Sequence, residues 1–113
     1  MYTRREVNAI ITELYNKVAL LFPQSGIEAI LFGSYARGDA DSGSDIDVLL
    51  LVDASRQEIS DRNWQIGNLA AELLLDYGVV VSPIIENREY FHKNLHLFPF
   101  YHNIEREGVR ISA

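Results

Sequence analysis

Apolar residues recur near the start of the chain as Val7, Ile10, Ile11, Leu14, Val18 and Leu21. Steps of three and four put them on one stripe of an amphipathic helix. Thr3-x-x-Glu6 has the form of a capping box at its start, and Pro23 and Gly26 stop it. The pattern then changes to continuous apolar runs. Ile27 to Phe32, with Glu28 as its one charge, predicts a first strand. Asp45 to Asp53 predicts a second, whose centre Val48-Leu49-Leu50-Leu51-Val52 is too apolar for a surface. Ser55-x-x-Glu58 is a second capping-box pattern, and Ile59, Ile66, Ala70, Leu73 and Tyr77 predict one long helix behind it. That helix runs to about Asp76, with Gly78 as its C-terminal cap. Val79 to Ile85 predicts a third strand, in which Pro83 marks an edge position or a bulge. Asn87 to Asn94 reads as helical, Leu97, Phe100, Tyr101 and Ile104 recur at helical spacing behind Pro99, and Gly108 is a stop. Val109 to Ile111 could add a short edge strand. This alternation predicts an α/β or α+β fold, a small mixed sheet flanked by helices, as one domain over 1–113.

The polar loop between the first two strands carries the chemistry. Residues two apart on a strand share a face, so Asp45 and Asp47 present two carboxylates together. Such a pair repels unless it is neutralised. A hard divalent cation, Mg²⁺, held by one or two carboxylates and substrate phosphates, is the economical neutraliser. At the other end of the loop a strand stops at Gly33-Ser34 and turns into a short helix. Backbone N–H groups at that turn, the helix dipole and the Ser34 hydroxyl make an anion site. Arg37 lies on the short helix, where it could reach a triphosphate oxygen or pair with Asp39 or Asp41. Ser44 is placed to brace the turn before Asp45, and Tyr35 reads as packing.

Composition narrows the partners. The 113 residues are 48% hydrophobic and 23% charged, an ordinary globular balance for one domain. With no cysteine there is no disulfide, thiolate metal site or cysteine nucleophile. A net charge of −6, from 16 acidic and 10 basic residues without a basic cluster, disfavours nucleic acid. Neither a signal peptide nor a run of transmembrane length stands out, so the expected location is the cytoplasm. His92 and His96 read as solvated surface residues rather than a metal pair. Tyr90, Phe91, Phe98, Phe100 and Tyr101 read as core or interface, or as a docking patch if exposed.

Gly33-Ser34 followed by Asp45-x-Asp47 resembles the nucleotidyltransferase superfamily signature. The extended form, Gly33-Ser34-x-Ala36-Arg37-Gly38 with Ser44-Asp45-x-Asp47, resembles the minimal nucleotidyltransferases. That resemblance implies a nucleotidyltransferase fold, with ATP as substrate and Mg²⁺ on Asp45 and Asp47, the catalytic carboxylates. It also implies a nucleotide held by Gly33, Ser34, Arg37 and Ser44. The acceptor hydroxyl would attack the α-phosphate. Family members generally carry a third carboxylate on a later strand, and here Ser82 aligns with it. Glu86, four residues on with the same strand parity, is a distant substitute. Minimal members are commonly paired with an all-helical HEPN-domain protein, for which they act as antitoxin, in some cases by transferring AMP to a tyrosine. The alternative is a partner-binding antitoxin module whose nucleotide site is degenerate.

Overall fold

The computed structural model describes residues 2–111. Thr3 opens the first helix, α1 (Arg4–Leu21): its hydroxyl accepts from Glu6 N at 3.1 Å while the Glu6 carboxylate accepts from Thr3 N at 2.9 Å. The chain continues as β1 (Glu28–Phe32), α2 (Ser34–Arg37), β2 (Ile46–Val52), α3 (Arg56–Asp61), α4 (Asn63–Tyr77) and β3 (Val81–Asn87). It finishes with α5 (Arg88–Lys93), α6 (Pro99–Glu107) and β4 (Val109–Ile111). The strands form one mixed sheet in the order β3-β2-β1-β4. β1 is antiparallel to β2 and β4, and β2 and β3 are parallel. Pro83 therefore sits on an outer strand, where its missing N–H is tolerated.

β2 is apolar throughout because both faces of the sheet are covered. Val48, Leu50 and Val52 pack with Val7, Ile10, Ile11, Leu14 and Val18 of α1 and Ile66 and Leu73 of α4. Leu49 and Leu51 turn the other way, onto Ile30, Phe91 and Ile104. Asp47 shares that second face by strand alternation, at the end of the sheet where the apolar cover gives out.

The long helix expected from Ser55 onward is two helices. Arg62 has φ −102° and ψ 7°, and its N–H reaches back to Glu58 O and Ile59 O while α4 starts afresh at Asn63. Asp61 and Asn63 flank the break, and both side chain types favour caps and turns over helix interiors. Ile66 and Leu73 keep their buried positions, but Tyr77 is left 40% exposed. Gly78 caps α4 in the left-handed region as expected.

Glu86 is buried to 6% exposure and fully engaged. Tyr101 Oη donates to Oε1 at 2.7 Å, Asn87 N donates to Oε2 at 2.8 Å, and Arg56 Nε lies 3.3 Å from Oε2. Its register partner is Leu51, four residues along from Asp47, or about 13 Å at strand rise. Glu86 thus ties β3 to α3 and α6 and stays away from Asp47. Burial, with the bond to Glu86 next, pushes the Tyr101 hydroxyl pKa well above its ordinary value. Glu86→Ala should destabilise the fold by about 1–3 kcal/mol, since it strips a partly buried hydroxyl of its acceptor. Glu86→Gln, whose carboxamide oxygen can still accept, should keep most of that stability. Denaturant unfolding of both variants is the check; an unchanged midpoint for Glu86→Ala contradicts the assignment.

Candidate active site

β1 ends at Phe32, the register partner of Asp47. The chain leaves it through Gly33 at φ 75° and ψ −156°, a conformation essentially confined to glycine. A Cβ at Gly33 would overlap Asp47 Oδ2 and lie 3.2 Å from its Cγ. The backbone of the turn and the carboxylate of the next strand are therefore in contact. In the single turn of α2, Ala36 and Arg37 donate to Gly33 O at 3.1 and 3.0 Å. The N–H groups of Ser34 and Tyr35 come too early to have a partner inside the helix. One turn aligns few peptide dipoles, so these donors, rather than the macrodipole expected from sequence, are what the turn could offer an anion. Tyr35 is buried, with Tyr2 N donating to its hydroxyl at 3.3 Å and Arg4 Nη2 to its carbonyl at 2.9 Å. It packs, as its sequence context suggested.

The loop to β2 is held by its own side chains. Asp41 Oδ1 accepts from Gly43 N at 2.8 Å, and Ser44 Oγ accepts from Asp41 N at 2.9 Å. Ser44 thereby braces the turn that delivers Asp45. Asp45 is exposed and lies one residue ahead of the strand, which begins at Ile46 rather than at Asp45. Ile46 is fully buried in the opposite core, so strand alternation turns Asp47 away from that core, while Asp45 lies just ahead of the strand. Burial pushes the Asp47 pKa up, the Asp45 charge adds to the rise, and Arg37 opposes it. Asp45 and the partly desolvated Asp47 are thus a repelling pair of oxygen donors, which suits a hard divalent cation completed by phosphate oxygens and water.

Arg37 is engaged with carboxylates. Its Nε is 3.3 Å from Asp39 and its Nη1 is 3.8 Å from Glu107, so Glu107 takes the place that sequence reasoning gave to Asp41. Ser82 is the register partner of Asp47 on β3, the neighbouring-strand position where the sequence comparison expected an acid. Among the described residues no group of three His, Cys, Asp or Glu side chains could hold a metal ion. His92 is exposed with its ring against Phe91, and His96 lies beyond the end of α5, which removes their helical pairing.

A cleft of about 340 Å³ adjoins the cradle, lined by Phe32, Gly33, Arg37, Phe100, Asn103, Ile104 and Glu107. Sequence reasoning gave Asn103 and Glu107 no role and placed Phe100 only in a general aromatic set. Phe100, Asn103, Ile104 and Glu107 do follow helical spacing. Their meeting with Gly33 comes from the pairing of β4 with β1, which carries α6 back to the loop.

Asp47→Asn keeps the side chain's shape and removes one repelling charge. The folded state holds the Asp47 proton more tightly than the unfolded chain does, so its ionisation destabilises the fold. That penalty develops as pH rises from the ordinary aspartate range, about 4, through the raised folded value. In metal-free buffer Asp47→Asn should raise Tm at about pH 7, and the gain should fade as pH falls through about 4. A loss of Tm at neutral pH would mean that the carboxylate is structural.

The family model of the nucleotidyltransferase domain matches residues 11–109. Three proteins of Methanocaldococcus jannaschii are similar over long stretches. The putative protein adenylyltransferase MJ0604 is 43% identical over 79 residues, 70% of this chain and 71% of the relative. The putative protein adenylyltransferase MJ0141 is 33% identical over 106 residues, 94% of this chain and 99% of the relative. The putative protein adenylyltransferase MJ1305 is 35% identical over 79 residues, covering 70% of this chain and 54% of the relative. With a mixed sheet, a Gly-Ser turn and an Asp-x-Asp strand in contact, this chain belongs to the nucleotidyltransferase domain family and is a nucleotidyltransferase.

Proposed function

We propose that the protein transfers AMP from ATP, with Mg²⁺, to a hydroxyl of a protein acceptor, a tyrosine of a HEPN-domain partner for which it is the antitoxin. The observation that carries the nucleotide site is the contact of Gly33 with Asp47, which joins phosphate cradle and carboxylates into one surface. Asp45 and Asp47 hold Mg²⁺, which neutralises phosphate charge when bound. Gly33 and the N–H and hydroxyl of Ser34 hold the β- and γ-phosphates, and Ser44 keeps the carboxylate loop in place. Arg37 exchanges its exposed carboxylate partners for a phosphate oxygen, at little cost because such surface pairs contribute about 0–1 kcal/mol. The acceptor oxygen attacks the α-phosphorus, the bond to the bridging oxygen breaks, and pyrophosphate leaves. A serine at position 82 is a weak base, so the acceptor's proton leaves to solvent.

A protein acceptor is favoured by the names of the relatives and by the open setting of the pair, with Asp45 exposed. The HEPN partner and the tyrosine follow from the likeness to minimal nucleotidyltransferases. No helix among the described residues is long and apolar enough to cross a membrane; the proposed location is the cytoplasm. Ser82 beside Asp47 favours the second reading, an antitoxin that occludes its partner and no longer transfers.

Incubating the protein with labelled ATP, Mg²⁺ and a HEPN partner tests this. Label should appear on a partner tyrosine and fall at least a hundredfold for Asp45→Asn and Asp47→Asn. Ser82→Asp should raise the Tm gain on adding Mg²⁺, because a third carboxylate then faces the ion. ATP binding without wild-type transfer, with transfer gained in Ser82→Asp, would establish the occluding module instead.

A further inference from the structure

Phe100 poses a question that the phosphate chemistry leaves open. It is apolar and 50% exposed, yet it stands in the cleft that begins at Gly33 and Arg37. Its ring meets Phe32 edge to face, with centroids 5.7 Å apart and planes at 84°. Phe32 is the residue immediately before the cradle and the register partner of Asp47. The exposed ring is therefore held against the strand residue that pairs with Asp47.

We propose that this cleft is the purine-base subsite of the nucleotide, with Phe100 as its stacking surface and Asn103 reading the base edge. The inference rests on the nucleotide site proposed above and adds the part of ATP that the motifs leave unassigned. Three properties of the cleft carry it. First, Gly33 and Arg37 line it, so a ligand whose phosphates lie at the cradle enters the cleft without leaving the protein surface. Second, its volume of about 340 Å³ lies within the range of small-ligand sites. Third, its polarity changes along α6. Arg37, 3.8 Å from Glu107, marks the phosphate end, and Phe100 lies seven residues from Glu107, about 10 Å along a helix. Ile104, buried to 2%, forms an apolar floor between them.

The Phe100 end suits a flat, uncharged ring and offers nothing to a further phosphate. Stacking of a base on an aromatic side chain is tolerant of base identity. Asn103 supplies the discrimination. A carboxamide carries a donor and an acceptor side by side, the pattern that matches the amino group and adjacent ring nitrogen of adenine. On the edge that carries N7, where adenine shows its amino group beside that nitrogen, inosine shows two acceptors, O6 and N7, and lacks that match.

Calorimetric titration with Mg²⁺ and ATP, ITP or inorganic tripolyphosphate tests the assignment. The wild type should bind ATP more tightly than tripolyphosphate and more tightly than ITP. Phe100→Ala should weaken ATP roughly tenfold to a hundredfold and leave tripolyphosphate unchanged, which also reports that the variant is folded. Phe100→Trp, which keeps a stacking surface, should retain ATP binding. Asn103→Ala should bring ATP and ITP to the same affinity. Wild-type protein that binds neither ATP nor tripolyphosphate overturns the nucleotide site and the subsite with it. Tripolyphosphate binding as tight as ATP, or ATP binding unaffected in Phe100→Ala, overturns the base subsite alone and leaves Phe100 as a protein-docking side chain.

Discussion

Strand β1 passes to α2 through a residue without a side chain, and the Asp47 carboxylate fills the space that a Cβ would take. Much of the site follows from that contact. It fixes the distance between the turn whose N–H groups can hold an anion and the carboxylates that can hold a cation. It also desolvates Asp47, whose pKa rises for that reason before the Asp45 charge adds to it. A group made costly to ionise in the empty protein is a group whose ionised form gains most when a cation arrives.

The sheet makes this arrangement possible. β2 is buried on both faces and paired on both edges, and a one-residue slip would turn the Asp47 carboxylate toward the core that holds Ile46. Glu86 locks the next strand to α3 through Arg56 and to α6 through Tyr101, which helps hold α6 over the second face. The charged pair then stands at the end of a rigid strand, with Ser82 beside it where an acid would strengthen metal binding.

Much of this was legible in the residues. Amphipathic spacing and the Thr3–Glu6 box located α1, the apolar run located β2, and Pro83 marked an edge position or a bulge, of which the structure shows the edge. The Gly33-Ser34 and Asp45-x-Asp47 pattern led to the family to which the chain belongs. What local pattern could not supply is of two kinds. The break at Arg62 is a backbone matter, a change of φ and ψ between two residue types that favour caps and turns, within an otherwise continuous stripe. The partners of Arg37 and the lining of the cleft are tertiary. Glu107 and Phe100 reach the loop only because β4 returns to pair with β1, seventy-odd residues from Gly33.

The central claim is that the turn and the carboxylate strand are one unit, and a double-mutant cycle between Gly33→Ala and Asp47→Ala measures it in metal-free buffer. Backbone strain at position 33 is common to both arms and cancels, so the cycle isolates the clash with Asp47. The account predicts that Gly33→Ala destabilises the protein by at least about 1–3 kcal/mol when Asp47 is present and clearly less when it is alanine. The coupling between the two changes should fall within about 0.5–3 kcal/mol. Strictly additive losses would contradict the account, because Gly33 and Asp47 would then not be in contact.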